Sequence, residues 1–372
     1  MQRIRCLLAL FALEATGFAR PASAVVQHRA DDWQPRTVPL YGVSYAPSIG
    51  LLVGVGVAHT RYGFHALPPS TQLVATAAYA TGARNYRVDL EAEFRRPLAP
   101  STLAVDLYAS GLEITRFYGV GNGSNGSGPD SAYEVRQTQL SLAPTVSVPL
   151  APRLRLAMGP VLKHAHTRVD PGTVLQSSGP YYGAGDFGAV GARALLELDT
   201  RDHPTVAARG ARLILAGEWY PGAWDVVRPF GVIQAEAATY VSAGDPPQAT
   251  LALRTGMAGA GGTIPFSELV YVGGSTTVRG YPEQRFAGRS GAYANAELRL
   301  RAAWLSVGDV GVLGLADAGR VWGEDDASRR RHTAAGGGVW FAWQRRRAST
   351  VSVAWARGSE RAAVYVRVGF MF

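Results

Sequence analysis

Cysteine and lysine are almost absent from this sequence of 372 residues, and each absence removes a class of function. The only cysteine is Cys6, which lies in an N-terminal segment that we predict to be removed. The mature chain then has no thiol, which excludes disulfides, cysteine nucleophiles and thiolate metal sites. Lys163 is the only lysine, so the formal net charge of +9 comes almost entirely from arginine. We attribute this bias to genomic codon composition and not to nucleic-acid binding; a basic interior or contact with anionic lipid headgroups accounts for the charge better.

Long hydrophobic runs are also absent beyond the N-terminus. Residues 1–24 have the pattern of a secretory signal peptide, with an arginine-containing start, an apolar run and a small-residue cleavage site at Ala22-Ser23-Ala24. After this segment no apolar run approaches the roughly 18 residues that a membrane-spanning helix needs. Hydrophobic residues nevertheless make up 47% of the chain, and its mean hydropathy is close to zero. A transmembrane barrel explains this combination, because its strands alternate lipid-facing and interior-facing side chains.

Alternation of apolar and polar residues with period two dominates the mature chain and predicts sixteen strands. An even number is what bacterial single-chain barrels require. We therefore predict an all-β fold, a 16-stranded antiparallel transmembrane β-barrel over residues 35–372, preceded by a short periplasmic tail at 25–34. The predicted strands lie near residues 36–48, 50–63, 71–81, 84–96, 102–115, 132–148, 153–167, 185–199, 209–220, 228–242, 248–260, 291–304, 309–322, 333–344, 349–357 and 362–372.

The lengths of the connections indicate how the barrel is oriented. If the N-terminus is periplasmic, the odd-to-even connections are external and should be the long ones. Long connections rich in glycine, serine or proline lie where this rule places them, at 119–131, 170–183, 261–290 and 323–332. The even-to-odd connections are mostly shorter, at 242–248, 305–308 and 344–348. The turn at 200–209 is the exception, because it is longer than the other internal turns.

The last predicted strand, residues 362–372, shows the clearest alternation. Its even positions from Val364 to Phe372 are apolar or aromatic, and its odd positions include Tyr365, Arg367 and Gly369. An arginine on the lipid face would cost about 2–4 kcal/mol near the midplane, so we predict that the even positions face lipid. A strand that ends on phenylalanine resembles the C-terminal signal that the outer-membrane insertion machinery reads. That resemblance assigns the signal to Tyr365, Val368, Phe370 and Phe372.

The segment from Tyr271 to Tyr281 is the most informative part of the sequence. A glycine pair is followed by Val278-Arg279-Gly280-Tyr281, which places one permanent positive charge on backbone that glycine allows to turn sharply. Further short motifs occur in a consistent order around it: Asp199-Thr200-Arg201-Asp202, Asn295-Ala296-Glu297-Leu298-Arg299 and Leu315-Ala316-Asp317-Ala318-Gly319. Taken together, this order resembles the sixth-loop motif and its neighbouring strands in the outer-membrane assembly barrels, the superfamily of BamA, TamA and FhaC. Leu315 departs from that pattern, which has phenylalanine there.

The resemblance implies that the sixth external loop folds inward and that Arg279 pairs with Asp317, with Glu297 nearby. The strand pattern independently places Glu297 in the interior, because Asn295, Glu297 and Arg299 share one strand face. A guanidinium can contact carboxylate oxygens in a bidentate manner, which lysine cannot reproduce. The alternative is that Arg279 is a solvated loop charge.

Other candidate sites are weaker. His164 and His166 lie two residues apart on one strand face and could bind a metal, but no third ligand is identifiable, so we interpret them as wall or rim residues. No spacing of serine and histidine indicates a hydrolase. We therefore assign no catalytic residue, no metal and no cofactor, and we do not expect an enzyme.

Only about ten residues separate the predicted signal peptide from the first predicted strand. The POTRA repeats of BamA, TamA and FhaC, which receive clients by strand addition, would then be missing, and a separate periplasmic protein would capture clients. The first candidate function is insertion or translocation of proteins at the outer membrane of a Gram-negative-type cell. The second is a pore or surface antigen that retains the fold without assembly activity. Outer-membrane lipids and the insertion machinery for the barrel itself are the other expected partners.

Overall fold

The computed structural model describes residues 33–46, 50–63, 66–95, 100–323, 328, 330–343 and 349–372. The predicted signal peptide at 1–24 and nearly all of the predicted tail at 25–34 lie outside these residues. Sixteen strands form one antiparallel sheet, in which each strand pairs with the next one along the chain. Its strands are β1 (Arg36–Ala46), β2 (Gly50–Gly63), β3 (Ala66–Ala80), β4 (Asn85–Arg95), β5 (Thr102–Arg116), β6 (Glu134–Ala151), β7 (Leu154–Thr167), β8 (Asp186–Asp199), β9 (Gly210–Tyr220), β10 (Phe230–Ala243), β11 (Ala249–Gly262), β14 (Ser290–Leu305), β15 (Gly308–Trp322), β16 (His332–Trp343), β17 (Thr350–Arg357) and β18 (Ala362–Val368).

The predicted count of sixteen sheet strands is confirmed. A second, two-stranded sheet was not predicted: β12 (Val270–Val272) pairs with β13 (Phe286–Gly288) inside the connection between β11 and β14. A strand of three residues is too short to show a period-two pattern. One short helix, α1 (Val174–Ser177), and two 3-10 turns, Asp130–Ala132 and Phe266–Glu268, also lie in connections.

The two faces of the main sheet differ in polarity, as the alternation predicts. On β14, Asn295, Glu297 and Arg299 are buried, whereas Leu298 and Leu300 are exposed. On β18, Val364, Val366 and Val368 are 63%, 69% and 67% exposed. The exposed face is therefore the apolar one, and the charged residues are enclosed, which is the arrangement of a barrel surrounded by lipid.

Contacts between strands that are far apart in the sheet show that it curls around an interior. Arg299 on β14 donates a hydrogen bond to the main chain of Phe372, and the Phe372 ring lies 6.3 Å from that of Tyr240 on β10. Among the described residues no pairing joins β1 to β18, so both strands keep a free edge. No helix in the described ranges is both long enough and apolar enough to cross a membrane.

The prediction that the last strand spans residues 362–372 is wrong at its C-terminal end, because β18 stops at Val368. Gly369 has φ +87°, in the left-handed region that glycine adopts readily, and its backbone turns the chain inward. Phe370 packs against the buried cluster that contains Leu313 and Ala356, and Phe372 packs against the buried cluster that contains Ala207 and Tyr240, on the interior side. The prediction that these two phenylalanines face lipid is therefore wrong, although it is confirmed for the three valines.

Connections of unequal length distinguish the two ends of the barrel, as predicted for those near 119–131, 170–183 and 261–290; the predicted turn at 344–348 and part of the predicted connection 323–332 lie outside the described residues. The connections at 117–133, 168–185, 221–229 and 263–289 belong to one end, which we call the long-loop end. The opposite end, which we call the short-turn end, has the tight turns at 152–153 and 306–307. The longer turn at 200–209 also belongs to the short-turn end, and its residues Val206, Ala207 and Ala208 are buried.

Candidate functional site

The connection between β11 and β14, which we call loop 6 (residues 263–289), folds back into the barrel. It enters through the 3-10 turn at Phe266–Glu268, runs along β12 and returns along β13. Apart from Thr276, every residue from Val270 to Tyr281 is buried. The loop therefore forms part of the interior of the barrel instead of extending into solvent.

The tip of loop 6 is a tight turn that depends on its glycine pair. Gly273 and Gly274 have φ values of +121° and +91°, which residues with a side chain rarely adopt. The main-chain N–H of Gly273 donates to Thr277 Oγ1 (2.8 Å), and that of Gly274 donates to the Val278 carbonyl (3.1 Å). This turn reverses the chain and presents Arg279 to the wall formed by β14 and β15.

Arg279 makes a dense set of charged contacts with that wall. Its Nε and Nη2 each donate to Asp317 at 2.8 Å, and its Nη1 donates to Glu297 Oε1 at 2.6 Å. Its main-chain N–H also donates to Asp317, at 3.0 Å. Arg279, Glu297 and Asp317 are only 2%, 2% and 4% exposed. Burial by itself lowers the pKa of the guanidinium, but the two carboxylates raise that pKa above its ordinary value, so the arginine remains charged.

Strand register explains why the two acids meet Arg279. Asn295 on β14 lies directly opposite Asp317 on β15, and its amide donates to Asp317 Oδ1 (2.9 Å) and to the Thr277 carbonyl (2.6 Å). Arg254 on β11 donates to Asn295 Oδ1 at 2.9 and 3.0 Å, which orients that amide. Asp317 is thus held by the Asn295 amide as well as by Arg279.

The residues that flank Arg279 are closely packed: two lie in an apolar cluster, and the third has no room for a side chain. Val278 and Tyr281 belong to a buried cluster with Val272, Phe286 and Val321. Gly280 has φ +78°, and a Cβ atom there would lie 2.3 Å from the main-chain nitrogen of Gly358. Only glycine permits this approach between loop 6 and the turn that precedes β18.

Loop 6 also contacts the last strand of the sheet. The main-chain N–H of Gly280 donates to the Tyr365 hydroxyl (2.9 Å), and Arg367 Nη2 donates to the Ser275 carbonyl (2.8 Å). Both β18 residues lie on the interior face, where the sequence pattern placed them. The loop therefore bridges β14 and β15 to one free edge of the sheet.

Lys163, the only lysine, anchors the base of loop 6 on the other side of the barrel. Its Nζ donates to Glu218 on β9 (2.8 Å) and to Glu268 in the loop (3.0 Å), and the Tyr220 hydroxyl also donates to Glu218. Neither acid was predicted as a partner. The signal was present in the sequence, since a single lysine in an arginine-rich chain occupies an inward strand position.

We predict that Lys163→Met loosens the base of loop 6 but leaves its tip docked. The change removes two charge-assisted hydrogen bonds, each worth about 1.5–3 kcal/mol, and leaves two carboxylates without their cation. Limited proteolysis with mass-spectrometric mapping should show faster cleavage at 263–269. Lys163→Arg is the control and should retain near-normal resistance; unchanged cleavage in Lys163→Met would contradict the anchor.

The connection between β5 and β6, which we call loop 3 (residues 117–133), covers loop 6 from the long-loop end. The Asn122 amide donates to the Val321 carbonyl (2.6 Å) and its Oδ1 accepts from the Val321 N–H (3.0 Å). Arg285 in loop 6 donates to Ser124 and to Glu360. Phe117 packs against Phe266. Loop 6 is thus enclosed by loop 3 as well as by the wall.

At the short-turn end, Arg299 joins Glu297 to the 200–209 turn and to the C-terminal segment. Its Nε and Nη2 donate to Glu297 at 3.0 and 2.8 Å. Nη1 donates to the Ala207 carbonyl in the 200–209 turn (3.4 Å), and Nη2 donates to the Phe372 carbonyl (2.8 Å). The guanidinium carbon also lies 3.9 Å from the centre of the Phe370 ring. A continuous polar chain therefore runs from Arg279 through Glu297 to Arg299.

The two histidines considered as metal ligands have separate partners. His164 stacks on Trp224, with ring centres 5.6 Å apart. His166 Nδ1 lies 2.7 Å from Asp186 Oδ1. Within the described ranges no group of three or more metal-binding side chains comes together.

The Omp85 superfamily domain matches residues 72–355, which is most of the chain. This chain belongs to the Omp85 superfamily. The matched region includes loop 6, β14 and β15, and therefore all three members of the Arg279–Glu297–Asp317 cluster. The family and the fold together identify an outer-membrane β-barrel. No curated protein matches the sequence.

Three solved structures share the fold with this chain at low sequence identity. BamA from Haemophilus ducreyi lacking POTRA domains 1–3 has a TM-score of 0.64 and 14% identity, over 90% of this chain and 69% of that one. CdiB from Acinetobacter baumannii has a TM-score of 0.53 and 13% identity, over 90% of this chain and 59% of that one. CdiB from Escherichia coli has a TM-score of 0.54 and 14% identity, over 90% of this chain and 62% of that one. The chain thus spans about three fifths of each CdiB chain.

Proposed function

We propose that this Omp85 barrel assists the insertion or translocation of polypeptides at the outer membrane. The observation that carries the proposal is the docked loop 6, in which Arg279 is held by Asp317 and Glu297 inside the barrel. A buried cation between two acids on adjacent strands is a specific device, because each partner would be costly to leave unpaired. We propose that it acts as a latch on the interior.

The contacts between loop 6 and β18 support a link from this latch to the free edge of the sheet. A polypeptide in extended form can add to an unpaired strand edge through main-chain hydrogen bonds. β18 pairs only with β17 among the described residues, and its Tyr365 and Arg367 hold loop 6. In our proposal a client pairs at the seam between β1 and β18 while the latched loop supports β18 from inside.

Localisation and partners follow from the same proposal. The chain would reach the outer membrane after cleavage of the predicted signal peptide, with the insertion machinery reading the end of the chain during assembly. The 199–210 turn lies at the short-turn end, which would face the periplasm. Photocrosslinkers placed along this turn in living cells should capture clients or a separate periplasmic capture protein.

Depletion of the chain is expected to lower the abundance of a specific set of outer-membrane or surface proteins. The reason is that clients that cannot be inserted are degraded before they reach the membrane. Quantitative proteomics of isolated outer membranes measures this, with plasmid-borne wild type as the control for recovery. An unchanged proteome together with altered solute uptake would refute the proposal and favour a transport pore that retains the fold.

A further inference from the structure

A cavity of about 210 Å³ lies at the short-turn end, beside the C-terminal segment, and Arg299 connects its lining to Glu297 of the latch. Its lining includes Arg299, Arg301, Trp304, Asp309, Trp340 and Phe370, and we call it the mouth pocket. We propose that the mouth pocket binds an extended polypeptide segment, taking up one aromatic side chain and hydrogen bonding to neighbouring main-chain carbonyls.

A strand irregularity creates the aromatic part of this lining. The register between β14 and β15 shifts between Arg301 and Ala303, which is the signature of a β-bulge. After the shift Trp304 lies opposite Asp309, a buried residue of the interior face. Arg301 and Trp304 therefore both lie on the pocket side of β14, where Trp304 is 57% exposed and the guanidinium carbon of Arg301 lies 5.5 Å from its ring centre. Without the bulge the indole would point to lipid.

The volume and the lining suit an aromatic ring. A buried apolar cavity of about 150 Å³ is sufficient to bind benzene, so 210 Å³ leaves room for a ring and part of the adjoining main chain. The indoles of Trp304 and Trp340 provide aromatic surfaces, and arginine guanidinium groups stack favourably on such rings.

Two buried donors in the lining indicate what else the ligand carries. Arg301 Nε and Trp340 Nε1 are buried and have no hydrogen-bond partner in the described part of the chain. The nearest acid, Asp309, lies 3.6 Å from Arg301 Nε, which is longer than a hydrogen bond. Asp309 also limits the net positive charge of the pocket. Neutral acceptors such as peptide carbonyls therefore match these donors better than a phosphate or another strongly anionic group does.

Two residues of the lining, Arg299 and Phe370, already show this kind of contact within the chain's own C-terminal segment. Phe370 stacks against Arg299, and the Phe372 carbonyl accepts a hydrogen bond from the same guanidinium at 2.8 Å. The Phe372 ring also lies 5.0 Å from the guanidinium carbon of Arg254. Because the same chemistry continues into the mouth pocket, and because the lining faces the interior, a polypeptide fits better than a bilayer lipid.

The inference rests on the proposed function only for the source of the peptide, which would be a client on the periplasmic side. Its test uses the purified full-length barrel in detergent and needs no client. The probe is a fluorescein-labelled peptide with the sequence of residues 366–372, compared with a peptide in which both phenylalanines are replaced by serine. Fluorescence anisotropy measures the dissociation constants.

The labelled peptide is expected to bind wild type at least tenfold more tightly than the serine peptide. Trp340→Phe keeps an aromatic ring but removes the N–H donor, and Arg301→Gln removes the guanidinium; each should weaken binding about fivefold, as the loss of one net hydrogen bond predicts. Trp355→Phe is the matched control, because Trp355 is exposed on the outer face of β17. It should bind the peptide as wild type does.

Disulfide trapping locates the peptide directly, since the only cysteine of the chain lies in the predicted signal peptide. Trp304→Cys should trap a probe that carries cysteine beside its aromatic residue, and Trp322→Cys, at the long-loop end of β15, should not. Equal affinity in wild type and both pocket variants, or no trapping at Trp304→Cys, would overturn the assignment. Peptide binding in the pocket without any change of the proteome on depletion would refute the proposed function alone.

Discussion

Replacing Arg279 with alanine is expected to release loop 6 from the barrel interior. The change removes the cation that pairs with Asp317 in the described part of the chain, where Asp317 is buried and keeps the neutral Asn295 amide as a donor. Removing one partner of a buried ion pair typically costs about 3–5 kcal/mol, which corresponds to a shift of at least a hundredfold towards the undocked loop. External protease should then cleave within residues 270–285, and single-channel conductance of the barrel should change.

The control for this prediction is Arg289→Ala in the same loop. Arg289 donates to the Gly262 carbonyl at an exposed position, so its removal should leave the loop resistant. Arg279→Lys should be intermediate between wild type and the alanine variant, because it keeps a positive charge near Asp317 but cannot contact it through two nitrogens. The double variant Arg279→Met with Asp317→Leu should be cleaved by external protease more slowly than Arg279→Met alone, because it no longer buries the unpaired carboxylate of Asp317. Wild-type resistance and conductance in Arg279→Ala would disprove the latch.

Replacing Arg299 with alanine is expected to free the C-terminal segment and the 200–209 turn together. Arg299 donates to the main chains of Phe372 and Ala207 and stacks on Phe370, whereas Glu297 keeps its contact with Arg279. The stabilising free energy lost by the C-terminal segment is at least that of one charged hydrogen bond, about 1.5–3 kcal/mol. The segment should therefore become accessible without release of loop 6.

Cysteine labelling at the C-terminal segment measures this effect. In a Met371→Cys background, Arg299→Ala should raise the rate of maleimide labelling about tenfold or more, as the lost hydrogen bond predicts. Arg212→Ala is the matched control, because Arg212 is an interior arginine that pairs with Glu197 on the wall of the barrel. Equal labelling rates in the Arg299→Ala and parent proteins would show that Arg299 does not hold the segment.

Local pattern was sufficient to predict most of the sheet. Alternation on β14 and β18 indicated which side chains face inward, because successive residues of a strand point to opposite faces. Strand bounds differ from the predicted ones by at most five residues. Glu297 could be placed in the interior from its strand alone. The choice of Asp317 as a partner of Arg279 came from the resemblance of the motifs and not from periodicity.

Features that depend on contacts between distant residues could not be predicted. The inward turn at Gly369 breaks the alternation of the last strand, because Phe370 and Phe372 gain aromatic and cationic partners on β10, β11 and β14. The bulge at Arg301 reverses the direction of Trp304, and nothing in the local sequence marks it. The pairing of Lys163 with Glu268 joins residues 105 positions apart.

The sixteen-strand sheet, its polar interior and the candidate residue Arg279 could be predicted from the order of residues alone, because a period-two pattern and a glycine-bounded turn are local properties. The tertiary structure decided which groups Arg279, Lys163 and Arg299 contact. Those choices depend on strand register and on how loop 6, the 200–209 turn and the C-terminal segment share one enclosed volume. There a buried charge is tolerated only beside a partner.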